Sequence, residues 1–334
     1  MLAALGVAWF VKLPERPQPQ PGRAVHGAVV AWSPAYRVSL FGIERLHPFD
    51  IGKMDRIAQH LLDEGLLQRE DFAMPGQVDE ATLAAVHDPI YLAGLQDPEK
   101  LSRALEVGVP GFIQGPTLDK RVLAPFRYAV QGSILAARGA LEHGLGINLG
   151  GGFHHAAPDK GHGFCVLNDV AAAIWTLRQE GFQGQVLIVD TDAHQGDGNH
   201  LFFQDDPTVT SFSMHQEALF PIPKERGDED LGLRGGTGDE AFLEELNQAL
   251  KRQIERSDPQ LIVHVAGSDV LNDDPLAGLA MTPDGLVQRD LLVLEAARSR
   301  DIPLLHVLAG GYGPSSAKAQ AASVSAMLRA SPGG

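Results

Sequence analysis

The chain has little cysteine and a deficit of basic side chains. Its single cysteine among 334 residues, Cys165, excludes an intrachain disulfide and predicts a reducing, cytoplasmic setting. Its 27 basic residues are outnumbered by 42 acidic ones, giving a formal charge of −15. This deficit argues against nucleic-acid binding, which needs a cationic face for the phosphates. It would favour cationic substrates such as lysine side chains or polyamines. The preferred explanation is simpler: the net charge keeps the protein soluble.

The sequence also lacks an apolar run long enough to cross a membrane. Residues 1–11 are apolar, but a spanning helix needs about 20 such residues, and no basic segment precedes them. Four prolines follow within residues 14–23 and indicate a linker. We therefore predict a flexible extension over residues 1–24, a single domain over residues 25–334, and no firm membrane association.

Apolar runs alternate with helical patterns along the predicted domain. The predicted strands are 27–32, 147–149, 186–190, 209–214, 261–265 and 304–308. The predicted helices are 50–62, 128–143, 169–180, a stretch near 197–204, 239–256, 283–300 and 315–329. This alternation predicts a three-layer, single-domain α/β fold, with a mostly parallel central sheet and helices on both faces.

Polar clusters directly follow four of the predicted strands. They occupy residues 150–155, 190–197, 266–269 and 309–312. In open α/β sheets, ligands bind in the crevice beyond the carboxyl ends of the strands. Four polar clusters at the same end of one sheet therefore predict a site rather than scattered surface polarity.

The second and third clusters contain metal-ligand residue types. Asp192 and His194 are two residues apart, so on an extended segment their side chains point the same way. Asp269 would complete three protein ligands, the number typical of catalytic zinc. The same set would suit iron(II) or cobalt. The alternative is a strand-end turn whose carboxylates cap backbone amides.

The other two clusters contain acid–base groups. Adjacent histidines, His154 and His155, can share the general base and general acid roles, with Asp190 and Asp197 as partners for their second nitrogens. Tyr312, between glycines, can donate to a developing oxyanion. Together these groups predict metal-assisted hydrolysis of an amide. No Gly-x-Ser-x-Gly elbow or Walker loop occurs, which argues against acyl-enzyme and nucleotide-dependent chemistry.

At these residues the chain resembles the zinc-dependent histone deacetylase family, which has the arginase/deacetylase fold. The resemblance extends from about residue 29 to 325 and is closest to the class IV branch. The segments that indicate that branch are 32–36, 46–50, 192–196, 266–269 and 276–279.

The resemblance implies a role for each matching position. The zinc ligands would be Asp192, His194 and Asp269. His154 and His155 would be the tandem histidines, paired with Asp190 and Asp197. Tyr312 would be the transition-state tyrosine. The walls of an acyl-lysine tunnel would be Gly163, Phe164, Phe220 and Leu276. A structural potassium ion would be held by backbone oxygens of Asp190, Asp192 and His194 and by the Ser213 side chain.

The resemblance leaves several functions open. An N6-acyl-lysine of a protein or peptide is the leading substrate, with an acylated polyamine or a longer acyl chain as alternatives. A dinuclear ureohydrolase shares the fold but needs further ligands that these strand ends lack. A non-catalytic acyl-lysine-binding module is the remaining alternative. His162 departs from the family, since relatives commonly carry a small residue there, and we expect it near the tunnel rim. The oligomeric state stays open.

Overall fold

The computed structural model describes residues 18–42, 44 and 47–331. The predicted flexible extension therefore lies largely outside the described residues. Its last part is described: the Gln20 amide donates to the Met74 carbonyl oxygen, and the Arg23 amide donates to the Asp71 carbonyl oxygen. No helix within the described ranges is both long enough and apolar enough to cross a membrane.

One seven-stranded sheet, parallel throughout, forms the centre of the described structure. Its strands are β1 (Ala28–Ala31), β2 (Leu145–Asn148), β3 (Val186–Asp190), β4 (Val209–Gln216), β5 (Glu229–Leu233), β6 (Leu261–Val265) and β7 (Leu304–Val307). Their order across the sheet is β1-β2-β7-β6-β3-β4-β5. The α/β prediction is confirmed, and the sheet is fully rather than mostly parallel.

Helices cover both faces of the sheet. They are α1 (Lys53–Asp63), α2 (Glu80–Val86), α3 (Pro89–Gly94), α4 (Pro98–Leu105), α5 (Gly115–Leu118), α6 (Ala124–His143), α7 (Asp169–Gln179), α8 (Asp197–Phe203), α9 (Asp239–Ser257), α10 (Pro283–Arg298) and α11 (Ser316–Ala330). A short π-helical turn, Asp119–Leu123, leads into α6.

Alternate residues of strands such as β3 enter two separate hydrophobic cores. Leu187 and Val189 of β3 belong to one core, which also holds apolar residues of α1, α9, α10 and α11. Val186 and Ile188 belong to the other, together with residues of α4, α6 and α7. Successive side chains of a strand point to opposite faces, so a sheet covered on both sides requires the continuous apolar runs seen in the sequence.

Two helix starts follow from residues visible in the sequence. The Asn168 side chain accepts a hydrogen bond from the Ala171 amide and caps α7. The Thr282 side chain accepts one from the Gly285 amide, and Pro283 occupies the first turn of α10. Both starts agree with the predicted boundaries.

Strand β5 and helices α2–α5 were not predicted. Strand β5 has the sequence Glu-Asp-Leu-Gly-Leu and lies at the sheet edge, where much of it stays exposed. It therefore lacks the apolar run that indicates a buried strand. Helices α2–α5 are only four to eight residues long, too short to show a clear helical period.

Candidate active site

The four polar clusters meet because their strands are neighbours. β2, β7, β6 and β3 are consecutive across the sheet, and a cluster follows the carboxyl end of each. The Ala309 amide donates to the Gly151 carbonyl oxygen, and the Ser268 amide to the Gly310 carbonyl oxygen. The Ala193 amide donates to Asp269 Oδ1 at 2.9 Å. The strand order thus builds one site from four segments, of which the first and the last are about 160 residues apart in the sequence.

Asp192, His194 and Asp269 form a compact buried cluster. Each offers a ligand atom, and these atoms lie within 4.8 Å of one another. His194 Nδ1 lies 3.1 Å from Asp192 Oδ1 and 3.0 Å from Asp269 Oδ2. Gly310 leaves the space that both carboxylates need, since a Cβ there would lie 2.7 Å from Asp192 Oδ2 and 2.6 Å from Asp269 Oδ2.

The electrostatics of this cluster fit a bound cation. Burial and the neighbouring Asp192 carboxylate raise the pKa of Asp269 to about 7. Two buried carboxylates this close repel each other, and a divalent ion between them would remove that cost. One imidazole nitrogen and carboxylate oxygens are ligands that zinc accepts. The residues present therefore fit a metal centre with three protein ligands.

Each tandem histidine has its own carboxylate partner. His154 Nδ1 lies 2.7 Å from Asp190 Oδ2, and His155 Nδ1 lies 2.6 Å from Asp197 Oδ1. All four side chains are buried. The aspartates thus leave the Nε2 atom of each histidine available for chemistry.

The environments of the two histidines push their pKa values apart. Burial lowers the pKa of His154, but the Asp190 and Asp192 carboxylates outweigh burial and raise it to about 9. Burial and the charge of His154 lower the pKa of His155 to about 3. The surroundings thus favour the charged form of His154 and the neutral form of His155.

Tyr312 lies beside the same carboxylates. A Cβ at Gly310 would be 3.3 Å from its hydroxyl oxygen, so this oxygen shares the space around Gly310 with Asp192 and Asp269. Its ring packs against Phe164, with ring centroids 5.7 Å apart. Burial raises the pKa of the phenol well above its ordinary value. The hydroxyl is therefore held protonated and can donate.

Two buried charged residues missed in the sequence hold the segment that carries Tyr312. Asp274 Oδ2 accepts the Tyr312 and Gly313 amides at 2.7 and 3.1 Å. Lys53 Nζ donates to the carbonyl oxygens of Ala309 and Gly310 at 3.2 and 2.9 Å, and burial lowers its pKa to about 8. The available signal for Lys53 was its spacing of four residues from Ile57, on the buried face of α1.

A cavity of about 110 Å³ reaches the site. His154, Gly310 and Tyr312 line it beside the metal-ligand cluster, and the predicted tunnel residues Gly163 and Phe164 also line it. Farther from the ligands, its lining is mostly apolar and consists of residues such as Val38, Leu40, Met54, Leu105, Val107, Phe126, Ala129 and Leu149.

A tight turn presents the tunnel residues. The Cys165 amide donates to the His162 carbonyl oxygen at 2.9 Å, and the two central residues, Gly163 and Phe164, have φ of 54° and 67°. Positive φ at both positions is the signature of a type I′ turn. Glycine adopts it freely, whereas phenylalanine is strained there, as is common at functional sites.

The other predicted wall residues lie differently. The Phe220 ring packs against His155, with centroids 5.0 Å apart, and is partly exposed. Leu276 is half-buried, and its amide donates to Asp274 Oδ1 at 2.9 Å. Neither residue lines the cavity.

His162 lies beside the tandem histidines. Its Nε2 is 2.8 Å from Asp197 Oδ2, although the N–H direction is not aligned with an acceptor. Its ring also packs against Phe220, with centroids 5.4 Å apart. Asp197 thus lies between two imidazoles, those of His155 and His162.

The residues implied for a monovalent cation are neighbours. Asp190 and Ser213 are directly opposite each other in β3 and β4. Ser213 Oγ is 3.0 Å from His215 Nδ1, and Asp190 Oδ1 accepts the Asp192 amide at 3.1 Å. The strand register thus brings Asp190 and Ser213 side by side.

Comparison with known proteins gives consistent matches. The sequence matches the histone deacetylase domain over residues 47–328. It is 35% identical over 303 residues to histone deacetylase 2 of Arabidopsis thaliana, covering 90% of this chain and 78% of that protein. An uncharacterized protein of Picosynechococcus sp. is 41% identical over 293 residues, covering 86% of this chain and 92% of that protein.

More distant matches agree with these. The acetoin utilization protein AcuC of Staphylococcus xylosus is 28% identical over 270 residues, covering 75% of this chain and 69% of that protein. The crystal structure of the HDA15 HD domain has a TM-score of 0.75 and 21% identity, covering 91% of each chain. This last likeness shows the shared fold.

Proposed function

The chain belongs to the histone deacetylase family of hydrolases, and from this premise we propose that it hydrolyses the N6-acyl amide of acyl-lysine in proteins or peptides. The observation that carries the proposal is the meeting of three kinds of group at one end of the sheet. These are the three-ligand cluster, the two histidine–aspartate pairs and the tyrosine. The class IV branch remains a prediction within this family.

Asp192, His194 and Asp269 would hold the metal, zinc in the first instance and iron(II) as the alternative. A divalent ion bound there would polarise the substrate carbonyl and lower the pKa of water. We further propose that potassium occupies the position beside Asp190 and Ser213.

The protein's own groups account for the proton transfers. Neutral His155, oriented by Asp197, takes a proton from the attacking water at Nε2 and later gives it to the leaving amine. Protonated His154, held by Asp190, keeps a positive charge beside the developing negative charge. The Tyr312 hydroxyl donates a hydrogen bond to the carbonyl oxygen as it becomes an oxyanion.

A second candidate substrate is a lysine with a longer acyl chain. The cavity favours it, because its lining beyond the ligands is mostly apolar. The formal charge of −15 would also suit an acetylated polyamine. We place the activity in the cytoplasm, as expected from the single cysteine.

A competition assay tests the proposal. Zinc-loaded protein is offered acetyl-lysine peptide, long-chain acyl-lysine peptide and acetylated polyamine together, and the products are identified by mass spectrometry. We expect acyl-lysine peptide to be hydrolysed, with the activity lost when a chelator is added. If deacetylated polyamine is the only product, the substrate is an acylated polyamine and not acyl-lysine. If zinc-loaded protein binds acyl peptide without releasing any product, the protein is a binding module.

A further inference from the structure

Arg289 is a fully buried arginine beneath the metal-ligand cluster. It belongs to α10, its exposure is 0%, and it is among the largest completely buried side chains. An arginine keeps its charge at any physiological pH, so all of its donors need partners inside the protein.

Four of the five N–H donors of the guanidinium have an acceptor. Nε donates to Asp290 Oδ1 at 2.8 Å, in a buried ion pair. The terminal nitrogens donate to three backbone carbonyl oxygens, those of Gly267 at 2.5 Å, Ala266 at 3.2 Å and Thr191 at 3.3 Å. The ion pair with Asp290 offsets the charge of the guanidinium, and the acceptors of its other hydrogen bonds are all backbone carbonyl oxygens.

The three carbonyls belong to the two segments that carry the ligands. Thr191 directly precedes Asp192, at the end of β3, whereas Ala266 and Gly267 follow β6 and lead to Asp269. One planar group therefore bridges the two segments from below. These two strands supply all three ligands of the cluster.

Gly267 links this bridge directly to a ligand. A Cβ on Gly267 would lie 1.9 Å from Asp192 Oδ2, so the Asp192 carboxylate rests against the backbone that Arg289 holds. A shift of residue 267 would therefore move the carboxylate. Groups behind metal ligands fix ligand orientation, and their loss typically lowers metal affinity about 10- to 100-fold.

We propose that Arg289 is a positioning residue of the metal centre, because it sets the distance between the backbone segments of Asp192 and Asp269. The inference rests on the proposed metal-dependent function. It predicts that affinity for the divalent ion depends on the several hydrogen bonds that the planar guanidinium donates, and not on its positive charge alone.

The test compares zinc affinities by competition with a chromophoric chelator, using the full chain. Arg289→Lys keeps a charge beside Asp290, but a single ammonium cannot make the planar set of contacts. We expect its zinc affinity to fall about 10- to 100-fold. Asp290→Asn is the matched control: it breaks the ion pair but keeps the three carbonyl contacts, so it should lower the melting temperature and leave zinc affinity close to wild type.

The outcomes separate the inference from the proposed function. Wild-type protein that binds no zinc would overturn the metal centre and the inference with it. Normal zinc affinity in folded Arg289→Lys would overturn the inference alone, as would an equal loss in Asp290→Asn. If Arg289→Lys does not fold, the double variant Arg289→Gln/Asp290→Asn removes both buried charges and must show the same loss of affinity.

Discussion

Two buried clusters in this molecule contain the same kinds of side chain. Asp192, His194 and Asp269 form one, and His264, Asp290 and His306 form the other, and in each the candidate ligand atoms lie within 4.8 Å of one another. For convenience we call the first the ligand cluster and the second the interior cluster. The residue types and the distances between candidate ligand atoms do not by themselves distinguish the two clusters.

Their surroundings do distinguish them. In the interior cluster Asp290 is already paired with a guanidinium, and the two histidines bond each other through their Nδ1 atoms at 3.1 Å. No member of either cluster lines the cavity itself, so the difference in access lies in the residues beside them. The carboxylates of the ligand cluster crowd around Gly310, at the end of the cavity. A metal centre needs carboxylates that are not already paired with a guanidinium, and a route to solvent, as well as the right residues.

The largest expected effect comes from breaking the ligand cluster. Asp192→Asn should abolish stoichiometric zinc binding, with a loss of affinity above the roughly 100-fold typical of residues behind the ligands, and hydrolysis should cease with it. His306→Asn in the interior cluster should leave the bound zinc unchanged. Elemental analysis of both variants after dialysis measures this, and an equal loss of zinc in the two would erase the distinction between the clusters.

The next effect separates metal binding from catalysis. Tyr312→Phe removes the hydroxyl beside the ligand carboxylates and should lower kcat about 100- to 1000-fold. Zinc content and KM should change little, since the phenol is not a ligand. Steady-state kinetics with parallel zinc analysis provide the check, and unchanged turnover would remove the oxyanion role.

A smaller effect concerns the interior cluster and pH. Burial lowers the pKa of His306 to about 4, and burial lowers that of His264 well below its ordinary value. In the unfolded chain the His306 side chain binds a proton near pH 6.5, whereas in the folded protein it stays neutral down to about pH 4. The contribution of these two histidines to the free energy of unfolding should therefore be fully present above pH 6.5. It should fall between pH 6.5 and 4, by up to about 1.4 kcal/mol per pH unit for each histidine.

Denaturant unfolding of zinc-saturated protein at pH 7 and pH 5 measures that slope. His306→Asn should have a shallower slope than wild type, because one titrating group is gone. An identical slope in both proteins would assign the acid sensitivity to other groups.

The smallest effect concerns His162, which lies beside Asp197 and outside the ligand cluster. His162→Ala removes the second imidazole beside Asp197 and should lower kcat about tenfold, in the range typical of residues behind a site. Free imidazole should restore part of the loss. If KM rises while kcat stays constant, His162 acts as a wall of the tunnel and not through Asp197.

The structure brings together residues that the sequence places after strand ends, but the groups that support them were not visible in the sequence. Asp192, His194 and Tyr312 could be identified because each follows a buried strand directly, and parallel strands end at the same edge. Arg289 could not, since a charge within a helical pattern usually faces solvent. Its role depends on which distant carbonyls it meets, namely those of Thr191 and Gly267.

The same limit applied to the fold. Long apolar runs such as β3 and β6 were predictable from composition, whereas the polar edge strand β5 was not. The order of strands was also beyond the sequence, because it depends on how each crossover helix packs. The turn at Gly163 and Phe164 has no sequence signal for its second position, since phenylalanine rarely adopts positive φ.

The place of β7 in the sheet has a consequence for biosynthesis. Among the described strands, β7 comes last in the sequence and lies between β2 and β6. Before residue 304 is made, β1-β2 and β6-β3-β4-β5 are therefore two ribbons that do not pair with each other. A ribosome-bound chain thus carries every ligand residue before the sheet that organises them can close. Until then each ribbon has an open edge, where another chain could pair.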